Sequence, residues 1–85
     1  MLERIKEYLD SFKGDDIYLI PECIEDDLNL EFVNTGYEIN NLSDYIYYSD
    51  DSRTWYKITL DYFTERAVVS KVIPKQIIKT IWEEV

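Results

Sequence analysis

Cys23 is the only cysteine of the chain, so no disulfide can join two of its segments. A chain of 85 residues hides only about 60% of its unfolded surface when it folds. One hydrophobic core must therefore supply the stability, and a hydrophobic fraction of 46% is sufficient for it. Disordered chains are much poorer in apolar residues. We expect a single domain over residues 1–85, with a free energy of unfolding of ~5–10 kcal/mol.

Apolar residues at helical spacing occur near both ends of the chain. The first group predicts a helix over residues 2–13, because its members follow one another at intervals of three and four residues. They are Leu2, Ile5, Leu9 and Phe12. Pro74 suits the start of a second, C-terminal helix. The apolar stripe of that predicted helix consists of Ile77, Ile78, Ile81, Trp82 and Val85.

Between these predicted helices, short apolar runs and period-two alternation predict strands. Residues 17–20 form a short run closed by Pro21, and residues 28–33 alternate between apolar and polar. Residues 34–36 have turn composition, and residues 37–39 are the expected hairpin partner. Residues 40–44 fit either a helical turn or a loop. Residues 45–48, 55–63 and 67–73 predict three strands of a meander.

The predicted fold class is α+β. We expect an antiparallel meander of four to five strands, with the N-terminal and C-terminal helices packed on one face. The other face would be open to water or to a partner. The predicted core consists of Leu9, Phe12, Leu30, Ile58, Leu60, Val68, Ile78 and Ile81.

The net charge of −9 is concentrated in one segment of the chain. Residues 1–13 are neutral and residues 53–85 carry a net charge of +2. Residues 14–52, which we call the acidic segment, hold eleven acids and no lysine or arginine. Like charge concentrated on a small domain costs self-repulsion, which is tolerated more readily where the charge has a use.

The acidic segment also holds five of the eight tyrosines, and tyrosine is a favourable contact residue. Carboxylates and tyrosines together complement a groove rich in arginine and lysine, such as nucleic-acid-binding proteins possess. This composition predicts a small inhibitor or immunity-type protein. It would occlude the basic site of a nuclease, an effector or another nucleic-acid-binding protein. Its small size and its biased amino-acid composition are typical of phage-borne or toxin-neutralising proteins. The predicted partner-binding residues are Glu25, Asp26, Asp27, Glu31, Asp44, Tyr45, Tyr47, Tyr48, Asp50 and Asp51.

A different class of function fits the same composition. The acidity can serve solubility alone, and the bases after residue 52 can fold against the acids. Some tyrosines would then be core residues or cross-strand pairs. In that case the chain is a housekeeping interaction or assembly module with apolar contacts.

The composition argues against catalysis and against several kinds of ligand. The chain has no histidine, which is the commonest general base and metal ligand. Two glycines cannot form a glycine-rich phosphate loop, and an acidic surface repels nucleic acid. We expect no enzymatic activity, no cofactor, no metal and no membrane association. The single cysteine and the charged N-terminal residues predict a cytoplasmic protein.

Overall fold

The chain begins with helices and continues with strands. The structure is a computed structural model that describes residues 1–76 and 80–85, with side-chain detail for all of them except residues 36, 37, 76 and 80. Helix α1 spans Leu2–Asp10, a 3-10 helix spans Gly14–Leu19, and α2 spans Ile20–Leu28. The strands are β1 Glu31–Ile39, β2 Leu42–Ser49, β3 Thr54–Asp61, β4 Arg66–Gln76 and β5 Thr80–Glu84.

The strands form one antiparallel sheet whose order in space follows the order in the chain. The α+β class and the antiparallel meander predicted from the sequence are confirmed. Residues 40 and 41 make the tight connection between β1 and β2, where Asn40 adopts a φ of 51°. Asparagine accepts this left-handed conformation more readily than most residues.

One face of the sheet, which we call the helix face, carries the core. The register pairs Tyr47 with Tyr56, and Leu60 with Ala67, on this face. The helices contribute the other layer, because one buried cluster joins them to these strands. Their buried members are Ile5, Leu9, Ile17, Ile20, Ile24 and Leu28.

Half of the predicted core is confirmed without change. Leu9, Leu30, Ile58 and Leu60 are buried, and Phe12 packs half-buried against them. The prediction that Val68 belongs to the core is wrong. Its side chain is 60% exposed because it pairs with Thr59 on the face opposite the helices. Ile81 is also wrong, since it is 49% exposed on the edge strand β5. Ile78 lies outside the described residues.

The segment predicted as the first strand is helical. Ile17, Ile20, Ile24 and Leu28 are buried, and they follow one another at intervals of three, four and four residues. This is a helical stripe, and the short run at residues 17–20 concealed it. Pro21 stands in the first turn of α2, where its missing N–H leaves no helical hydrogen bond unmade.

The predicted C-terminal helix is wrong for the described residues. Residues 74–76 continue β4, and Thr80–Glu84 form β5 alongside it. The residues of β4 beyond Val72 extend past β3, and among the described strands only β5 pairs with them. Pro74 is tolerated here because β4 has a single neighbour at that position. Ile77 and Ile78 of the predicted stripe lie outside the described residues.

The turn predicted at residues 34–36 is instead part of β1. The register of β1 against β2 shifts between Phe32 and Asn34 and again between Thr35 and Glu38. Such bulges are frequent on edge strands, and glycine suits them. The chain therefore reverses at Asn40 rather than at Gly36.

Truncation of Leu60 to alanine is expected to lower the free energy of unfolding by about 2–4 kcal/mol, since the substitution leaves a cavity. The side chain is fully buried in the core cluster. Val68→Ala is the matched control on the neighbouring strand and should change stability by less than about 0.5 kcal/mol. Urea denaturation measures both. Equal effects at the two positions would contradict the assignment of the two sheet faces.

Candidate partner-binding surface

Almost all carboxylates of the acidic segment are exposed. Ten of its eleven acids are exposed, and Asp44 is half-buried. The exposed ten are Asp15, Asp16, Glu22, Glu25, Asp26, Asp27, Glu31, Glu38, Asp50 and Asp51. They are accessible to a partner, and water solvates them in the free protein.

The ion pairs of the described side chains leave the acidic segment out. Lys6 pairs with Glu3 at 3.7 Å, Lys57 with Glu84 at 2.7 Å, and Lys75 with Glu83 at 3.5 Å. None of these acids belongs to residues 14–52. In the described part of the chain, the bases after residue 52 therefore do not neutralise the segment through ion pairs.

Three of the predicted contact acids lie in the last turns of α2. The Phe32 N–H donates to Glu25 Oε1 at 3.0 Å, and the Tyr8 hydroxyl donates to Asp27 Oδ2 at 2.6 Å. Asp26, between them, is exposed. A helix C-terminus disfavours negative charge, and the last turn of α2 contains no base. This placement costs folding free energy, a local conflict of the kind that recurs at functional sites.

The sheet register brings three more of the predicted contact acids to the same end of the molecule. Glu31 at the start of β1 pairs directly with Tyr48 near the end of β2. Asp50 and Asp51 follow immediately in the turn between β2 and β3. We call this region the acidic end. It consists of Glu25, Asp26, Asp27, Glu31, Asp50 and Asp51.

The face of the sheet opposite the helices, which we call the open face, carries a row of aromatic rings beside the acidic end. The ring centroids of Tyr48 and Trp55 are 5.0 Å apart, and those of Trp55 and Trp82 are 6.1 Å apart. All three side chains are half-buried, and we call them the aromatic row. On the same face, Ile46 and Val72 are fully buried, and Val72 is the cross-strand partner of Trp55. The open face therefore has a small apolar cluster of its own.

Sequence reasoning missed the two tryptophans of this row. The period of two along residues 55–63 puts Trp55 on the face opposite Tyr56, but it predicts no partner ring beside Trp55. Trp82 was assigned to a helix. The usable signal was the run of β-branched and aromatic residues Thr80, Ile81 and Trp82, which are residue types of high strand propensity.

Two of the predicted contact residues lie away from the acidic end. Asp44 is four residues before Tyr48 on the same strand, a separation of roughly 13 Å. Its Oδ1 accepts a hydrogen bond from the Thr59 hydroxyl at 2.6 Å. Tyr45 lies on the helix face and packs half-buried against the core. The structure therefore does not bring these two residues together with the others.

Tyr47 is not available to a partner. Its side chain is 1% exposed, within the core cluster, and its ring meets that of Phe32 at 5.7 Å. The period of two along β2 explains this, because Tyr47 points toward the helices while Tyr48 points away. The predicted contact role of Tyr47 is corrected to a core role.

Alkaline unfolding is expected to begin near pH 10. Burial, followed by interactions with Tyr62 and Glu38, raises the pKa of Tyr45 to about 12. Burial also raises the pKa of Tyr8 and of Tyr47, and the bond to Asp27 raises that of Tyr8 further. A raised pKa in the folded state contributes stability below the unfolded pKa of about 10, and this is lost as pH rises. Circular dichroism against pH should show it, and unchanged stability between pH 9 and 12 would contradict the burial of these hydroxyls.

No family model, curated protein or solved structure matches this chain. Within residues 1–76 and 80–85, no helix has the length and apolar character needed to cross a membrane.

Proposed function

We propose that this chain is a small acidic binding protein of the inhibitor or immunity type. Its acidic end occludes a positively charged site on a partner that binds nucleic acid, such as a nuclease or an effector. The observation that carries the proposal is the exposure of ten segment carboxylates, none of which enters an ion pair among the described side chains.

The geometry of the acidic end supports this mechanism. Carboxylates from α2, from the start of β1 and from the β2–β3 turn converge on one end of the sheet. A partner that binds nucleic acid holds lysine and arginine where the phosphates lie. The carboxylates occupy those positions, and Tyr48 packs among the stems of the basic side chains. Complementary charge speeds association and selects basic partners over others.

Capture from the source cell's lysate, at low and at moderate salt, tests the proposal. Exposed charges are screened beyond about 8 Å at physiological ionic strength, so capture through them weakens as salt rises. The expected result is a basic, nucleic-acid-binding protein whose recovery falls at moderate salt. Recovery of a partner that is neither basic nor nucleic-acid-binding would contradict the proposal.

Exposed apolar side chains favour the second candidate, an interaction or assembly module whose acidity is incidental. Phe63 is 83% exposed, Val68 60% and Tyr18 57%. Apolar contacts are insensitive to moderate salt or strengthen with it. The same capture experiment therefore separates the two candidates, since only the first predicts loss of the partner as salt increases.

A further inference from the structure

One residue from each of the five strands contributes to a continuous line of paired residues across the open face. The register pairs Glu31 with Tyr48, Tyr48 with Trp55, Trp55 with Val72, and Val72 with Glu84. Residues paired in this way share a face. Two aromatic rings and a buried valine therefore stand between two carboxylates, on the face opposite the helices.

The rings of the aromatic row are held in place before any partner arrives. Ile46 and Val72 are fully buried on the same face, Val72 pairs directly with Trp55, and each ring packs against the next at a centroid distance of 5.0 or 6.1 Å. Because these rings are half-buried, part of each remains exposed to solvent. A contact surface that is already ordered loses little conformational entropy on binding.

The two carboxylates at the ends of this line of paired residues, Glu31 and Glu84, differ in their surroundings. Glu84 Oε1 lies 2.7 Å from the ammonium of Lys57 and accepts a hydrogen bond from the Ser70 hydroxyl at 3.0 Å. The hydrogen bonds that this carboxylate accepts, first from the Lys57 ammonium and then from the Ser70 hydroxyl, lower the pKa of Glu84. Glu31, at the other end of the row, is exposed and enters no ion pair among the described side chains. The carboxylate that no described base neutralises is therefore the one beside Tyr48.

We propose that the aromatic row, together with Glu31, binds an arginine side chain of the basic partner. This inference rests on the proposed function and names the chemical group that the site takes. A guanidinium group is planar, so it stacks on the rings of Tyr48 and Trp55 while its N–H groups reach the Glu31 carboxylate. A lysine ammonium can pair with Glu31, but its compact, strongly hydrated charge has no planar surface to stack.

Two peptides of equal charge and length, nona-arginine and nona-lysine, test the inference at matched ionic strength. Titration calorimetry gives both affinities for the wild-type chain. We expect the arginine peptide to bind roughly threefold to tenfold more tightly, the range of a cation–π contact at partly exposed rings. The tryptophan fluorescence of the wild-type chain should change with the arginine peptide and much less with the lysine peptide.

Variants locate the preference on the row. Trp55→Leu and Tyr48→Leu should each reduce the preference for arginine, while Trp55→Phe keeps a ring and should retain part of it. Phe63→Leu is the control, because it removes an aromatic ring that is 83% exposed elsewhere on the surface. Far-ultraviolet circular dichroism verifies the fold of each variant. If one leucine variant fails to fold, the other variant and the wild-type fluorescence still test whether the preference for arginine depends on the aromatic row.

The outcomes distinguish this inference from the proposed function. Equal binding of both peptides to the wild-type chain would overturn the arginine site and leave the acidic function standing. Absence of binding by either peptide would overturn both. A preference for arginine that persists in both leucine variants would overturn its assignment to the aromatic row.

Discussion

Replacement of Tyr47 with alanine is expected to lower the free energy of unfolding by about 3–5 kcal/mol, the range for large aromatic side chains removed from a core. The side chain is 1% exposed, it belongs to the central cluster, and it pairs across the sheet with the equally buried Tyr56. The surrounding strands and helices cannot collapse fully into the space that it leaves. Urea denaturation monitored by circular dichroism measures the loss.

Phe63→Ala provides the comparison for this experiment. Phe63 is also aromatic but 83% exposed, so its removal should change stability by less than about 0.5 kcal/mol. The composition of the acidic segment had indicated Tyr47 as a contact residue. If Tyr47→Ala left stability unchanged and weakened partner binding, the contact role would be restored and the core assignment would fail.

Neutralisation of the acidic end is the second change with a large expected effect. The variant carries Asp26→Asn, Glu31→Gln, Asp50→Asn and Asp51→Asn, which keep side-chain shape and remove four charges. Glu25 and Asp27 stay unchanged because each accepts a hydrogen bond within the fold. At low salt, affinity for the basic partner should fall on the order of tenfold or more, chiefly through slower association. Stability should stay the same or rise slightly, because like-charge repulsion is relieved.

A control variant removes the same number of charges elsewhere. It carries Glu3→Gln, Glu7→Gln, Asp10→Asn and Glu65→Gln, all at exposed positions outside the acidic segment. Surface plasmon resonance gives the association rates of both variants with the captured partner. A loss of affinity in the control as large as that in the acidic-end variant would indicate a general effect of net charge and would remove the case for a localised site.

Much of the fold follows from patterns that are local in the sequence. The alternation through Tyr56, Ile58 and Leu60 identified the core side of β3, and the stripe of Ile5 and Leu9 identified α1. Such patterns are informative because one face of each element must be buried. They failed where a window was short. Residues 17–20 and 77–85 fit the helical period as well as the period of two that strands show. In the described part of these segments, the choice between helix and strand depended on which neighbouring elements were available to pack or pair.

The candidate site is less accessible to sequence reasoning, because it depends on register. The sequence indicated the acids and Tyr48, but their convergence requires Glu31 to pair with Tyr48. That pairing is set by the turn at Asn40 and by two bulges in β1, whose positions no local pattern specified. The register of β2 against β3 brings Trp55 next to Tyr48, and the strand β5 adds Trp82. A side chain's neighbours across a sheet are a property of the whole fold.

Competition for the captured partner tests the central claim most directly. The partner is first bound to a fluorescent nucleic acid, and the chain is then titrated in while fluorescence anisotropy is followed at constant salt. Occlusion of the basic site predicts that the chain displaces the nucleic acid as it saturates the partner, and that the acidic-end variant needs a higher concentration. A ternary complex, in which the partner holds the chain and the nucleic acid together with unchanged affinity for each, would contradict occlusion.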